Sequence, residues 1–122
     1  MSIEELEKWK KAGKLAHEAL HFGKNLIQEN SSMLDVTEEI EKYVFDNGGK
    51  LAFPTNLAIN NVGAHWTPSS KTTEVFSKGD LVKLDVGVHI DGYIGDNALT
   101  VEIGTSKYSK LVDTSREALN AA

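Results

Sequence analysis

Two aspartates, Asp85 and Asp96, interrupt the apolar runs of the stretch KLDVGVHIDGYIGDNALTV, residues 83–101. An unpaired carboxylate among apolar side chains is costly, so such groups neutralise, find a cationic partner or bind a metal. Asp91-Gly92 between the two runs is a strong hairpin signal and favours a two-residue type I′ turn. With that turn, Ile90 faces Tyr93, Asp85 faces Ala98 and Gly87 faces Asp96. Side chains alternate between faces, which puts Asp85, Gly87, Ile94, Asp96 and Ala98 together. The acids become diagonal neighbours, their Cβ atoms about 7 Å apart or somewhat less. A slip of one residue would place Asp85 beside Leu99 and send the acids to opposite faces.

Two carboxylates held this close share a proton or share a cation. Oxygen ligands alone suit Mg, Ca or Mn, and a nearby imidazole widens the choice to Zn, Co or Fe. The bland alternative is that Asp85 ends a strand, Asp96 lies in a loop, and both are solvated. Gly87 and Ala98 are small and would leave space between the acids.

The elements that must position this pair follow from periodicity. Residues 3 to 28 carry apolar positions at helical spacing, opened by a Ser2/Glu5 capping box. Gly13 and Gly23 weaken that helix and so mark close packing. After Asn30-Ser31-Ser32, a second helix is expected over roughly 35 to 47. Asp35 or Thr37 would cap it, Ile40, Tyr43 and Val44 would form its buried stripe, and Gly48-Gly49 would stop it. KLAFP and NLAIN read as short extended segments, HWTPSSKTT as a loop, and a third amphipathic helix is expected from near Ser106. That helix is still running at the last residue, as expected of part of something longer. No internal repeat or low-complexity linker stands out.

Composition bounds the function. A chain of 122 residues that is 40% hydrophobic and 25% charged is expected to form one soluble domain. A net charge of −5 without a Lys/Arg stripe argues against a nucleic-acid or anionic-membrane surface. The absence of cysteine removes disulfides, thiolate nucleophiles and thiolate metal sites. No signal-peptide core or membrane-spanning run is present in the sequence, so a cytoplasmic location is expected.

AFPTNLAIN, AHWTP and KLDVGVHIDGYIGD, taken together at these separations, resemble the first half of a methionine aminopeptidase. The resemblance is strongest to the type II enzymes of archaea and eukaryotes, and it covers nearly the whole chain. It implies an α+β fold that is half of a pita-bread (creatinase/aminopeptidase-like) architecture. Residues 1–122 would form the amino-terminal half of the catalytic domain, with helices packed on one face of a mainly antiparallel sheet bearing the Asp hairpin. The implied activity is a dinuclear-metal aminopeptidase that removes N-terminal methionine from nascent proteins and peptides.

By motif, Asp85 and Asp96 correspond to the first two of five metal ligands. His65 corresponds to the histidine that hydrogen-bonds substrate, and Phe53 and Pro54 to residues lining the methionine pocket. Trp66 stands where the family usually has tyrosine. His89 occupies a non-ligand position and is expected to be partly exposed. His17 and His21 have the i, i+4 spacing of a metal pair but lie outside every matched motif, which assigns them to the surface. The remaining ligands, a histidine and two glutamates, are absent from this chain. Two divalent ions (Co, Mn, Fe or Zn) are implied for the complete enzyme, with weak or no binding by this half alone. The implied partners are a peptide with a free N-terminal methionine and either the missing half or a second copy of the chain. A non-catalytic pita-bread binding module, or an inactive half that self-associates, is the alternative from another class.

Overall fold

The hairpin adopts the register that its turn dictates. In the computed structural model, which describes all 122 residues, strands β3 (Leu81–Ile90) and β4 (Tyr93–Glu102) pair along their whole length. Asp91 (φ 51°) and Gly92 (φ 88°) both lie in the left-handed region, as a type I′ turn requires. Asp85 faces Ala98 and Asp96 faces Gly87, so both acids emerge on one side of the sheet.

On its other edge β3 pairs antiparallel with two short strands, β1 (Lys50–Leu51) and β2 (Asn56–Ile59). β3 is therefore the central strand, and the outer edge of β4 carries no partner strand. Two helices precede the sheet: α1 (Ile3–Leu26) and α2 (Met33–Asp46). The face opposite the acids presents Val82, Leu84, Val86, Val88 and Ile90, which join α1 and α2 in a core cluster of 18 buried residues. Burying a side chain of this size is worth about 1.5–3 kcal/mol, so this layer carries the fold.

Glycines set how closely the layers approach. A Cβ on Gly23 would lie 2.5 Å from Ile40 Cδ1 and 2.9 Å from Leu84 Cδ2, at the junction of α1, α2 and β3. A Cβ on Gly95 would lie 2.6 Å from backbone atoms of Ala12 and Gly13. Gly23 thus fulfils the expectation of close packing directly. Gly13 has open space where its own Cβ would be, and it matters as the surface that Gly95 abuts.

The helix ends agree with sequence reading at one terminus and differ at others. Ser2 and Glu5 form the expected capping box, each side chain bonding the other's backbone N–H. α2 begins at Met33 because Ser32, rather than Asp35 or Thr37, is its cap, accepting from the Asp35 N–H at 3.1 Å. Thr37 instead donates inward to the Met33 carbonyl. Ile40 and Val44 are buried, while Tyr43 is half-buried and stacks on Phe22 with ring centroids 4.6 Å apart. The third helix, α3 (Ser109–Ala121), starts later than expected, after a turn in which Glu102 accepts from the Tyr108 N–H. None of its residues is buried, and Leu111 and Leu119 are 64% and 73% exposed.

The tip of the hairpin is clasped by the first turns of α1. Lys8 pairs with Asp91 at 3.3 Å, the Tyr93 hydroxyl donates to Glu5 Oε1 at 3.2 Å, and Trp9 meets the Tyr93 ring edge-on. These exposed contacts are individually weak, but they anchor the turn to the helix that covers the core.

Candidate metal centre

Asp85 sits half-buried in the central strand, where solvent reaches only part of its carboxylate. Its Oδ1 is buried and has no hydrogen-bond partner. Burial pushes its pKa above the usual carboxylate value, and the charge of Asp96 together with a shared hydrogen bond pushes it further. Asn56 and His65 act in the opposite direction and favour the ionised form. Asp96 is open to solvent on the edge strand. An orphaned carboxylate oxygen beside a second carboxylate suits either a shared proton or a shared cation.

The surrounding segments deliver the other residues. The Ala52 N–H donates to the Gly87 carbonyl at 2.9 Å, which lays the AFP segment over β3. The Phe53 ring then lies on Gly87: a Cβ there would fall 2.2 Å from Phe53 Cε1. Gly87 faces Asp96 and is two residues from Asp85, so the ring flanks both acids. Pro54 is exposed at the rim.

His65 arrives on a loop secured beside β2. The Leu57 N–H donates to the Trp66 carbonyl at 2.8 Å, and Thr67 Oγ1 donates to the Thr55 carbonyl at 2.6 Å. Trp66 packs against the core cluster. Because Asn56 faces Asp85 across the ladder, this loop brings His65 near enough to act on Asp85 electrostatically. His65 itself has φ 60°, a left-handed conformation uncommon for a residue with a Cβ.

The structure thus puts Asp85 and Asp96 on one face with the Phe53 ring on Gly87 between them, and brings His65 near enough to influence Asp85. It separates the other histidines from them. His89 is half-exposed, and its Nδ1 accepts the Gly92 N–H at 3.1 Å, so it serves the turn. His17 and His21 are exposed on α1, their ring centroids 4.4 Å apart. No group of three or more His, Cys, Asp or Glu side chains in the chain could hold a metal ion. The residues present fit a divalent cation as a partial shell: two acids, one with an unpartnered oxygen, and small neighbours at Gly87 and Ala98. Sequence reading missed Asn56, whose only signal was a polar residue beginning the apolar segment NLAIN.

The family model of metallopeptidase family M24 matches residues 7–122. The chain belongs to the M24 metallopeptidases. It is 43% identical to a methionine aminopeptidase of Archaeoglobus fulgidus over 122 residues, which is 100% of this chain and 41% of that protein. Against the methionine aminopeptidase of Pyrococcus horikoshii, the identity is 41% over 118 residues, 97% of this chain and 40% of that protein. The crystal structure of the methionine aminopeptidase of Thermotoga maritima superposes with a TM-score of 0.88 at 30% identity, covering 99% of this chain and 52% of that one. The chain therefore spans about 40% of the length of these curated relatives. Its α+β fold is half of the pita-bread architecture of M24 aminopeptidases. As an M24 metallopeptidase it belongs with proteins that use divalent metals. No helix in it is long and apolar enough to cross a membrane.

Proposed function

We propose that residues 1–122 are the amino-terminal half of a methionine aminopeptidase, one that removes N-terminal methionine from nascent chains in the cytoplasm. In this reading Asp85 and Asp96 are the first two ligands of a dinuclear site. A pair of divalent ions such as Co, Mn, Fe or Zn, if held there, would supply Lewis-acid chemistry toward water and the scissile carbonyl. His65 donates a hydrogen bond to the substrate, held in place by the Leu57–Trp66 backbone contact. Phe53, seated on Gly87, forms one wall of the methionine pocket, and Pro54 forms its rim. The remaining ligands come from polypeptide beyond this chain. The observation that carries the reading is the buried, unpartnered Oδ1 of Asp85 beside Asp96.

A second copy of the chain is the other source for the missing wall, favoured by one observation: the ten-residue strand β4 has a free outer edge. A C2 pair would bring four aspartates around one centre.

A Co(II) titration followed by absorption tests both. Saturable binding lost in Asp96→Asn supports the acid pair as ligands, and one ion per two chains identifies a second copy as the partner. Binding that survives Asp96→Asn removes Asp96 from the site. In the polypeptide extended to the length of the relatives, Asp96→Asn is expected to abolish turnover with the fold retained. His65→Ala is expected to lower turnover strongly with metal content retained, and metal loss in that variant would make His65 a ligand instead.

A further inference from the structure

The Asp85 carboxylate has a neighbour that the acid pair does not account for. Asn56 opens β2 and is the direct Cα partner of Asp85 in the β2–β3 ladder, so the two side chains stand on the same face. Both are half-buried. Asparagine is depleted in strands, because its carboxamide competes with the backbone for hydrogen bonds. Its neighbours Leu57 and Ala58 are fully packed, as a strand prefers. Contacts on either side of Asp85 hold the ladder, the Ala52 N–H to the Gly87 carbonyl at 2.9 Å and Lys83 Nζ to the Asn60 carbonyl at 2.6 Å. The Asn56 Cα therefore has little freedom to move away from Asp85. Oδ1 of Asp85 is buried and has no hydrogen-bond partner.

We infer that Asn56 is a positioning residue for the metal centre. Its amide group donates to the Asp85 carboxylate and fixes the rotamer of that side chain. Carboxylates that bind metals are themselves hydrogen-bonded by outer partners, and removing such a partner typically weakens metal affinity 10–100-fold. Asn56 suits this role better than a charged residue would. A lysine here would neutralise the acid, and an aspartate would repel it.

The inference rests on the reading of Asp85 and Asp96 as ligands, and its test separates the two. Mn(II) would be titrated into the ¹⁵N-labelled 122-residue chain, with paramagnetic broadening of the Asp85 and Asp96 amides as the readout, since broadening detects weak sites. Asn56→Leu, nearly isosteric but without the donor, is expected to raise the half-broadening concentration about tenfold. Asn56→Thr, a β-branched donor suited to a strand, is expected to recover part of that loss. In the metal-free protein, the χ1 couplings of Asp85 should report one dominant rotamer, averaged in Asn56→Leu while spectra of the core remain unchanged. Titration of Asn56→Leu with the wild-type midpoint would overturn the positioning role, as would an unchanged Asp85 rotamer. Broadening that persists in Asp96→Asn would instead overturn the ligand reading. If Mn(II) broadens neither amide in the wild-type chain, that reading also falls, and the rotamer measurement alone decides the Asn56 contact.

Discussion

At the scale of single residues, the face bearing the acids is set by what is small or unpartnered. Asp85 has a raised pKa from burial first and from Asp96 second, so in the metal-free chain it holds its proton above the ordinary carboxylate range. Because the folded-state pKa lies above the unfolded one, the folded state is favoured below the unfolded pKa. That contribution is lost as pH rises through the raised value. A ¹³C titration of the Asp85 carboxyl is expected to give a midpoint above 3.8, falling in Asp96→Asn but staying raised because burial remains. A raised midpoint that is unchanged in Asp96→Asn would show that the two carboxylates do not interact. Gly87 is the second sensitive position. Gly87→Ala would place a methyl group where the Phe53 ring lies. Since that half-buried ring can swing outward, a loss of about 1 kcal/mol in denaturant unfolding is expected. The more telling result would be a changed Phe53 environment by NMR.

At the scale of elements, the contact between α1 and β4 is less forgiving. A Cβ at Gly95 meets the backbone of Ala12 and Gly13 at 2.6 Å, and backbone cannot rotate aside. Gly95→Ala should therefore cost about 3 kcal/mol, the upper end for overpacking, and clearly more than Gly87→Ala. Equal losses in the two variants would mean that α1 shifts freely over the sheet. The hairpin was also the most legible part of the sequence, because Asp91-Gly92 admits few turns and one turn fixes every pairing down to Leu81–Glu102. The acids could be placed on one face from this alone. The start of α2 was less legible, since Ser32, Asp35 and Thr37 are all good capping residues. Only the entry from Asn30 (φ 68°), whose N–H bonds the Phe76 carbonyl, selects Ser32. The placement of His65 and Asn56 beside Asp85 lay beyond periodicity. It depends on the β2–β3 register for Asn56 and on a loop held to β2 by main-chain bonds for His65, neither of which side-chain pattern encodes.

At the scale of the whole molecule, the sheet has one finished side and one open side. α1 and α2 bury one face, while Ile94 on the acid face is 55% exposed and the outer edge of β4 has no partner strand. Edges of this length and character invite pairing. α3 shares this incompleteness: its 13 residues bury none of their side chains. Isolated helices of such length are marginal in water. Hydrogen exchange of the 122-residue chain is expected to show α3 exchanging near the unstructured rate and β3 protected to the global limit. Strong protection of α3 in a dilute sample would mean that it has found a partner surface. The short turn of sequence Glu117-Ala118-Leu119 in α3 repeats Glu18-Ala19-Leu20 in α1, where Ala19 and Leu20 are buried. By that likeness, Ala118 and Leu119 are the α3 positions suited to face a core.

The 18 core residues all lie between Ala12 and Ile103, and both acids fall inside the same interval. Synthesis proceeds from the amino terminus, and domains tend to fold as units in that order. A ribosome that has released Ile103 has already delivered everything needed to close the layer of α1 and α2 against the sheet. Asp85 and Asp96 can be set in place without a core contribution from any residue after Ile103. The order of synthesis then lets the core and both acids form together as one early unit.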